Sequence, residues 1–484
     1  MEKQLEQLKR LAAANAPAKR EDNGAAGGAT GSKSEGSQPE EPQKPAFEAK
    51  PPFTFTESGV APRSGEGTCQ LFSDHLVVLP NFGDLIQVPY RGISDLYGKG
   101  YRVNIQTFSG DLLFLGPLGR QYDDFLRIIT RLRNELTLRD MLMGEKQLQP
   151  VARGQLSVAD PGSAPSAEGE CELRLYETAL VVLPDTSAVF RIPYSDIKSF
   201  SASDYRLEIG TEQGRRLAAT QMGRLFDPFT KALTDASAGL QQMVAKTVSS
   251  LLPGADPSAV RKVARLMKEG RAARRADIDA ISPSLWPLME KRLGASGLME
   301  EYSFLKGISQ QSRICIGVKQ GLKGADGSEY LWFMVPIYGR AGAGNAIAIE
   351  AASAEDTGRA TYFFRIVGRS EYPSLGMEAL DSACDLILME INRAMVDINF
   401  RREPVYLSDD KLLEPKYQHY FYAVKRLPSL KLLRSLFIGR VVHSSPEQWT
   451  EDVNALLEFN ASSRSDAERW SKPMDGASGG AGGG

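Results

Sequence analysis

Two stretches of the chain concentrate the side chains best able to hold an anion. Between Val260 and Arg275 stand Arg261, Lys262, Arg265, Lys268, Arg271, Arg274 and Arg275, with Glu269 the one acid among them. Between Arg401 and Arg440 nine cations meet four acids. Those cations, Arg426, Lys431 and Arg434 among them, are interleaved with Tyr406, Tyr417, Tyr420, Phe421, Tyr422 and Phe437. Cations set near phosphates release counterions and make binding salt-dependent, and aromatics between them can stack on bases or seat on an anionic membrane. Each stretch also has a structural reading. A charge run can be the solvated face of a helix, and Tyr420, Phe421, Val424 and Leu427 can be core.

Groups for catalysis are sparse. His75, His419 and His443 have no Ser, Cys or metal-ligand partner at diagnostic spacing, and no GxSxG, HExxH or paired-carboxylate signature occurs. The run Gly339–Asn345 lacks the Lys-Ser/Thr that ends a phosphate-binding loop, and strand-like sequence flanks it on both sides, so it reads as a hairpin. Cys69, Cys171, Cys315 and Cys384 never approach CxxC spacing, which leaves no readable zinc site. Cys69 and Cys171 read as small buried hydrophobes in two related cores. No enzyme activity, cofactor or metal is expected.

The elements that must carry these residues are organised by an internal repeat. LVVLPNFGDLIQVPYRGISDLYGKGYRVNIQTFSG from Leu76 returns as LVVLPDTSAVFRIPYSDIKSFSASDYRLEIGTEQG from Leu180. One offset pairs Pro89-Tyr90 with Pro193-Tyr194, Tyr101-Arg102 with Tyr205-Arg206, Gly119-Arg120 with Gly223-Arg224, and Phe125 with Phe229. Chance does not hold one register over so many apolar, Pro, Gly and aromatic positions, so the segment reads as a duplicated module. A module repeated without a reactive constellation points to binding. At the matched positions, Arg120 is expected to pair with Asp123 or Asp124, and Arg224 with Asp227, near a helix start; the other reading is a repeated anion contact through Arg102, Arg120, Arg206 and Arg224.

The first module is expected over residues 53–146 and the second over 167–247. Each has short strand-like runs separated by turn signals, then a switch to helical periodicity: Tyr122, Phe125, Ile129 and Leu132 in one, Phe226, Phe229, Leu233, Leu240 and Met243 in the other. Residues 147–166 read as a linker by composition, so the modules would be beads on a hinge unless their faces pack. A helical segment is expected over 248–300. Asp256-Pro257 is its start signal, Val260, Val263, Leu266 and Met267 its buried face, and Gly270 its stop. A second helix is expected to start at Ser282-Pro283. Residues 301–460 read as an α+β domain of four strands followed by a helix over 377–400, which raises the suspicion of a third, diverged copy. Residues 1–52 read as unfolded apart from one short helix bearing Leu5, Leu8 and Leu11, and 461–484 as a Gly-rich tail.

Short strands capped by one amphipathic helix resemble a pleckstrin-homology-like (PH-like) domain. The resemblance covers the two modules and implies bent β-barrels, each plugged by its C-terminal helix. It implies binding of phosphoinositide headgroups, peptides or proteins, and no catalysis. Tandem modules of this kind occur in bacterial cell-envelope and scaffold proteins and in histone chaperones. The lipid-binding subset places Lys and Arg on the first two strands and their loop. Here Gly67–Pro80 contains none, and Gly169–Pro184 only Arg174 beside Glu170, Glu172 and Glu177. Protein binding gains weight accordingly.

The 484 residues carry a net charge of −2, so a nucleic-acid role would need a local patch. Met1 is followed by the charged EKQLEQLKRL, and no window approaches the roughly 18 apolar residues of a spanning helix. The expectation is a cytoplasmic α+β scaffold: two PH-like β-barrels each closed by a C-terminal helix, a helical segment, and a C-terminal antiparallel β-meander with helices. It would bind a protein partner, with self-association as a further possibility. The alternative is an anionic membrane surface or nucleic acid held by Arg261, Lys262, Arg265, Lys268, Arg274, Arg275, Arg426, Lys431 and Arg434. Tyr101, Arg102, Arg120, Tyr205, Arg206 and Arg224 are assigned structural roles.

Overall fold

Alternating apolar residues build the first sheet. A computed structural model of the protein describes residues 44–141, 145–161, 165–320, 329–339, 344–352 and 359–461. The N-terminal helix expected over the first residues, the Gly-rich tail, the Asp326-Gly327 turn and the centre of the Gly339–Asn345 loop lie outside them. The first unit comprises β1 (Phe47–Ala49), β2 (Pro52–Thr56), β3 (Arg63–Leu71), β4 (His75–Pro80), β5 (Ile86–Pro89), β6 (Ile93–Lys99), β7 (Arg102–Thr107), β8 (Leu112–Leu115) and α1 (Tyr122–Asp140). The order is β5-β4-β3-β2-β8-β7-β6, with β1 added to β3. Phe125 and Ile129 of α1 pack against Leu76, Val103, Ile105 and Leu115 on the concave side.

The second unit repeats this order. β9 (Ala152–Ala159), β10 (Pro165–Leu175), β11 (Ala179–Pro184), β12 (Phe190–Pro193), β13 (Ile197–Ser203), β14 (Arg206–Thr211), β15 (Arg216–Thr220) and α2 (Phe226–Leu251) run β12-β11-β10-β9-β15-β14-β13. Matched positions share unusual backbone. Tyr101 and Tyr205 have φ of 59° and 56°, and Gly119 and Gly223 have φ of 54° and 57°. Each tyrosine meets the first ring of its closing helix, Tyr101 with Tyr122 at 5.6 Å and Tyr205 with Phe226 at 5.5 Å. In both units that contact joins a turn to a helix start.

Two boundaries differ from the sequence reading. Phe47–Ala49, assigned to the unfolded N-terminal segment, is β1; Ala49 is buried against Cys69, so two apolar residues at period two suffice to extend the sheet. Residues 147–166, assigned to a linker, contain β9, the strand that joins the two halves of the second sheet. Its alternation puts Ala152, Leu156 and Val158 inward, but small and polar neighbours mask it. The units are not beads. Leu138 of α1 packs on Tyr176, Val181, Leu183 and Val189. Asn134 donates to the carbonyls of Pro184 and Ser187 and accepts from the amide of Val189.

Asp256 caps α3 (Pro257–Leu266), accepting from the amides of Ser258 and Ala259 at 2.8 and 3.1 Å. Val260, Val263 and Met267 are buried as expected, whereas Leu266 and Met243 are 37% exposed, each lying one step off its buried stripe. The chain continues through α4 (Arg275–Asp279), α5 (Leu285–Ala295) and α6 (Met299–Gly307). The third sheet is β16 (Ala273–Arg274), β17 (Cys315–Gln320), β18 (Glu329–Ile337), β19 (Ala346–Ala352), β20 (Ala360–Arg365) and β21 (Phe437–Val442), in that sequential order. It is covered on both faces. Ile316, Phe333, Val335 and Phe363 meet α2, α3, α5, α6 and α12 (Pro446–Ala461); Trp332, Met334, Ile349 and Phe364 meet α7 (Met377–Asp397) and α11 (Pro428–Leu436). Between those last two helices lie α8 (Glu403–Tyr406), α9 (Asp409–Leu412) and α10 (Gln418–Arg426).

The suspected third copy is therefore a different architecture. Its sheet lacks the pairing of first and last long strands seen in the other two units, and helices lie on both sides. The whole is a mixed α+β chain of antiparallel sheets. Among the described residues no helix is long and apolar enough to cross a membrane. All four cysteines are free and buried, and burial pushes the Cys69 and Cys171 thiols up to about 12.

A buried polar cluster ties β19, β21 and α6 together. His443 lies between Glu301 at 3.1 Å and Glu350 at 3.0 Å, and Thr361 donates to Glu350 at 2.8 Å. Burial opposes charge on the imidazole, but the two carboxylates outweigh it and hold the pKa at about 9. A folded pKa above the unfolded value stabilises fully below about pH 6.5 and is lost as pH rises through the folded value. Urea denaturation should therefore show a loss on the order of 2 kcal/mol between pH 6.5 and 9.5. His443→Gln should flatten that slope, and an unchanged slope would refute the assignment.

Candidate functional site

The two basic stretches have different fates. Arg426 is half-buried at the end of α10, donating to the carbonyls of Tyr90 and Arg91, each at 2.9 Å, and to the Thr137 hydroxyl. Arg434 donates to the carbonyls of Pro404, Val405 and Leu407 and to Asp409. Tyr420, Val424 and Leu427 pack into the third unit's core. Arg402 lies over the Tyr362 ring and Arg440 over that of Tyr406. Of the binding residues expected here, Lys431 alone is exposed. The expected anion surface at Arg426 and Arg434 is corrected: both guanidiniums are engaged by backbone carbonyls inside the fold.

The first stretch divides. Arg274 pairs with Asp277 and Asp385, and Arg275 with Asp279 beside the Trp286 ring. Arg271 pairs with Asp196 and Glu212, and Lys268 with Glu212 at 2.8 Å. Arg261, Lys262 and Arg265 are exposed on α3 and have no ion-pair partner among the described residues. Asp256 and Pro257 set the helix register, which places Arg261, Arg265 and then Lys268 along one stripe and Val260 and Val263 on another.

That stripe forms one wall of a cleft of about 450 Å³. The facing wall is α2, through Ser237, Leu240, Gln241 and Val244, and the end wall is the turn from Tyr194 to Ile197. Glu269, 4% exposed and at φ 54°, lies at the base. Its carboxylate accepts from the Ser195 hydroxyl at 2.6 Å and lies 3.8 Å from Arg191. Burial raises the Glu269 pKa, against the opposing pull of Arg191 and Lys319. The base carboxylate is thus engaged from below, and the groups available to a guest are cationic, amide, hydroxyl and apolar.

Below the cleft is a buried charge network. Arg191 meets Glu145 at 2.6 Å and Asp397 at 3.4 Å, with side-chain exposures of 5% for Arg191 and 0% for Glu145. Lys319, also buried, donates to Asn399 at 2.7 Å, and burial lowers its pKa. Arg393 approaches Asp196 and Glu212 from α7. These residues are scattered over the whole sequence, and no local spacing joins them. The one visible signal was Glu269, the lone acid in a basic run.

The repeat-matched arginines lie outside the cleft. Arg102, Arg120 and Arg224 are exposed, and Arg206 pairs with Glu208. The expected pairings of Arg120 with Asp123 or Asp124, and of Arg224 with Asp227, are corrected: neither forms among the described residues, and Asp124 pairs with Arg127 one helical turn on. Arg120 and Arg224 sit in short 3-10 turns ahead of their helices, where an exposed side chain gains little from a fixed partner. Among the described residues no group of three or more His, Cys, Asp or Glu could hold a metal.

No known protein family matches the chain, and no curated protein does. Among solved structures, the C-terminal domain of an unknown protein from Leishmania infantum matches at 20% identity and a TM-score of 0.18, over 22% of this chain and 97% of that one. The Spt16D Pob3N heterodimer matches at 15% identity and a TM-score of 0.15, over 35% of this chain and 85% of that one. Neither likeness, at such TM-scores, carries an argument about this chain.

Removing one member of a buried ion network strands its partners. Arg191→Met should cost about 3–5 kcal/mol in urea denaturation, and Lys431→Met no more than about 0.5 kcal/mol. Similar costs for the two would contradict the contrast drawn between them.

Proposed function

We propose that the chain is a non-enzymatic scaffold. Its first two units act as duplicated PH-like modules, and its partner is a protein carrying an acidic segment that enters the cleft between α2 and α3. The carrying observation is that cleft: three cations, Arg261, Arg265 and Lys268, line one wall opposite apolar and amide side chains. An apolar recess rimmed by like charges favours a ligand that is apolar at its centre and oppositely charged at its edge. The sheet order, with first and last long strands paired and one closing helix, supports the PH-like reading of both units.

The second reading, a polyanion held along two basic surfaces, loses one of them, because Arg426 and Arg434 are spent inside the fold. The exposed cations of α3 form one short stripe, which suits a local acidic group better than an extended phosphate backbone.

The test uses the full chain as bait in native extract treated with nuclease, alongside Arg261→Glu/Arg265→Glu. The reading expects a protein held in stoichiometric yield by the parent chain and reduced at least tenfold by the charge reversal. Equal capture by both baits, or loss of all bound material on nuclease treatment, would overturn it.

A further inference from the structure

The cleft has a counterpart in the first unit, and that counterpart is full. We infer that the second unit's cleft receives an amphipathic helix with acidic side chains, in the position that α10 occupies on the first unit but with the charges exchanged. This rests on the scaffold reading and names the form of the partner.

The two places correspond part by part. In the first unit the space lies between α1 and the Tyr90–Ile93 turn; in the second it lies between α2 and the Tyr194–Ile197 turn. The closing helices begin at matched residues, Tyr122 and Phe226, so Arg133, Thr137 and Asp140 on α1 match Ser237, Gln241 and Val244 on α2. In the first unit a helix end fills the space: Arg426 donates to the Tyr90 and Arg91 carbonyls and to Thr137. Asp140, 5% exposed and paired with Arg91 at 3.1 Å, supplies the negative charge beside that guest cation. Arg133 closes the rest by donating to the Ser94 carbonyl at 3.1 Å.

In the second unit each of these features is altered in one direction. Val244 replaces the acid that balanced the guest cation, and Ser237 replaces the arginine that filled the space. The opposite wall gains Arg261 and Arg265, exposed and without ion-pair partners among the described residues. A cationic guest would meet three like charges there and no exposed acid. An acidic one would meet Arg261 and Arg265 at its edge and Leu240, Val244 and Ala264 at its centre. Helical form follows from the occupant of the first unit and from the walls, two helices whose exposed faces accept side chains at i, i+3 and i+4 spacing. The volume of about 450 Å³ accommodates a few such side chains of a helix lying across the opening.

The test is fluorescence anisotropy on the full chain with labelled synthetic peptides. One is a stapled helix with Leu at i, i+3 and i+4 flanked by Glu; the second replaces each Glu by Lys; the third has the acidic composition interrupted by prolines, which forbid the helix. The inference expects the acidic helix to bind at least tenfold more tightly than either other peptide. Arg261→Glu/Arg265→Glu should lose at least tenfold, and so should Gln241→Trp, which fills the cleft from an exposed position, with circular dichroism unchanged. If the proline peptide binds as well as the helix and still depends on Arg261 and Arg265, the helical form is overturned and the scaffold reading stands. If the Lys peptide binds as well as the acidic helix, or neither acidic peptide responds to the substitutions, both are overturned.

Discussion

The arrangement of this chain depends on one buried cation. Arg191 stands on a strand of the second unit and reaches Glu145 ahead of that unit, Glu269 after α3, and Asp397 at the end of α7. Burial works against its charge, but the three carboxylates outweigh that and hold its pKa above the ordinary value. Charges taken out of water must be satisfied by fixed partners, so four distant segments are brought into one register. The cleft inherits its shape from this. Glu269 is its base, and Arg191 and Ser195 fix where that base lies.

What was legible in the sequence is what repeats or alternates. The register between Leu76 and Leu180 corresponds to two sheets whose order matches apart from β1, and Asp256-Pro257 to the start of α3. β9 was missed because Gly154 interrupts its inward apolar row and the small Ala152 starts it, which leaves only Leu156 and Val158 as large apolar residues. The third unit was only half legible. Its strands are buried on both faces, so they read as plain apolar runs, and nothing local says that β21, after a long helical excursion, pairs with β20. The candidate site was visible as composition alone. The basic run was plain, but which cations would be consumed internally depended on Glu212, Asp196 and Asp385, tens to more than a hundred residues away. Arg426 was the clearest failure of local reading, since its partners are backbone carbonyls of the first unit.

The two units share one sheet order, and their matched recesses differ. Both keep the turn, the closing helix and the tyrosine that meets its first ring. The first copy spends its lateral recess on internal cohesion, closed by Arg426 and balanced by Asp140. The second keeps the recess open and places beside it Arg261, Lys262 and Arg265, which have no ion-pair partner among the described residues. A few side-chain changes at matched positions separate a filled joint from an open cleft.

The third sheet carries a consequence for synthesis. Its core draws on Val248 and Leu251, which belong to the helix closing the second unit, and on Leu456 and Leu457 near the end of the described chain. Its last strand follows the previous one only after α7 through α11. The sheet therefore cannot close until nearly all of the described chain has left the ribosome, whereas the first two sheets are complete far earlier. Contacts of such long sequence separation form slowly and leave apolar edges exposed in the interval. During that wait the closing helix of the second unit already holds Val248 and Leu251 in place, the first edge against which the last core is laid down.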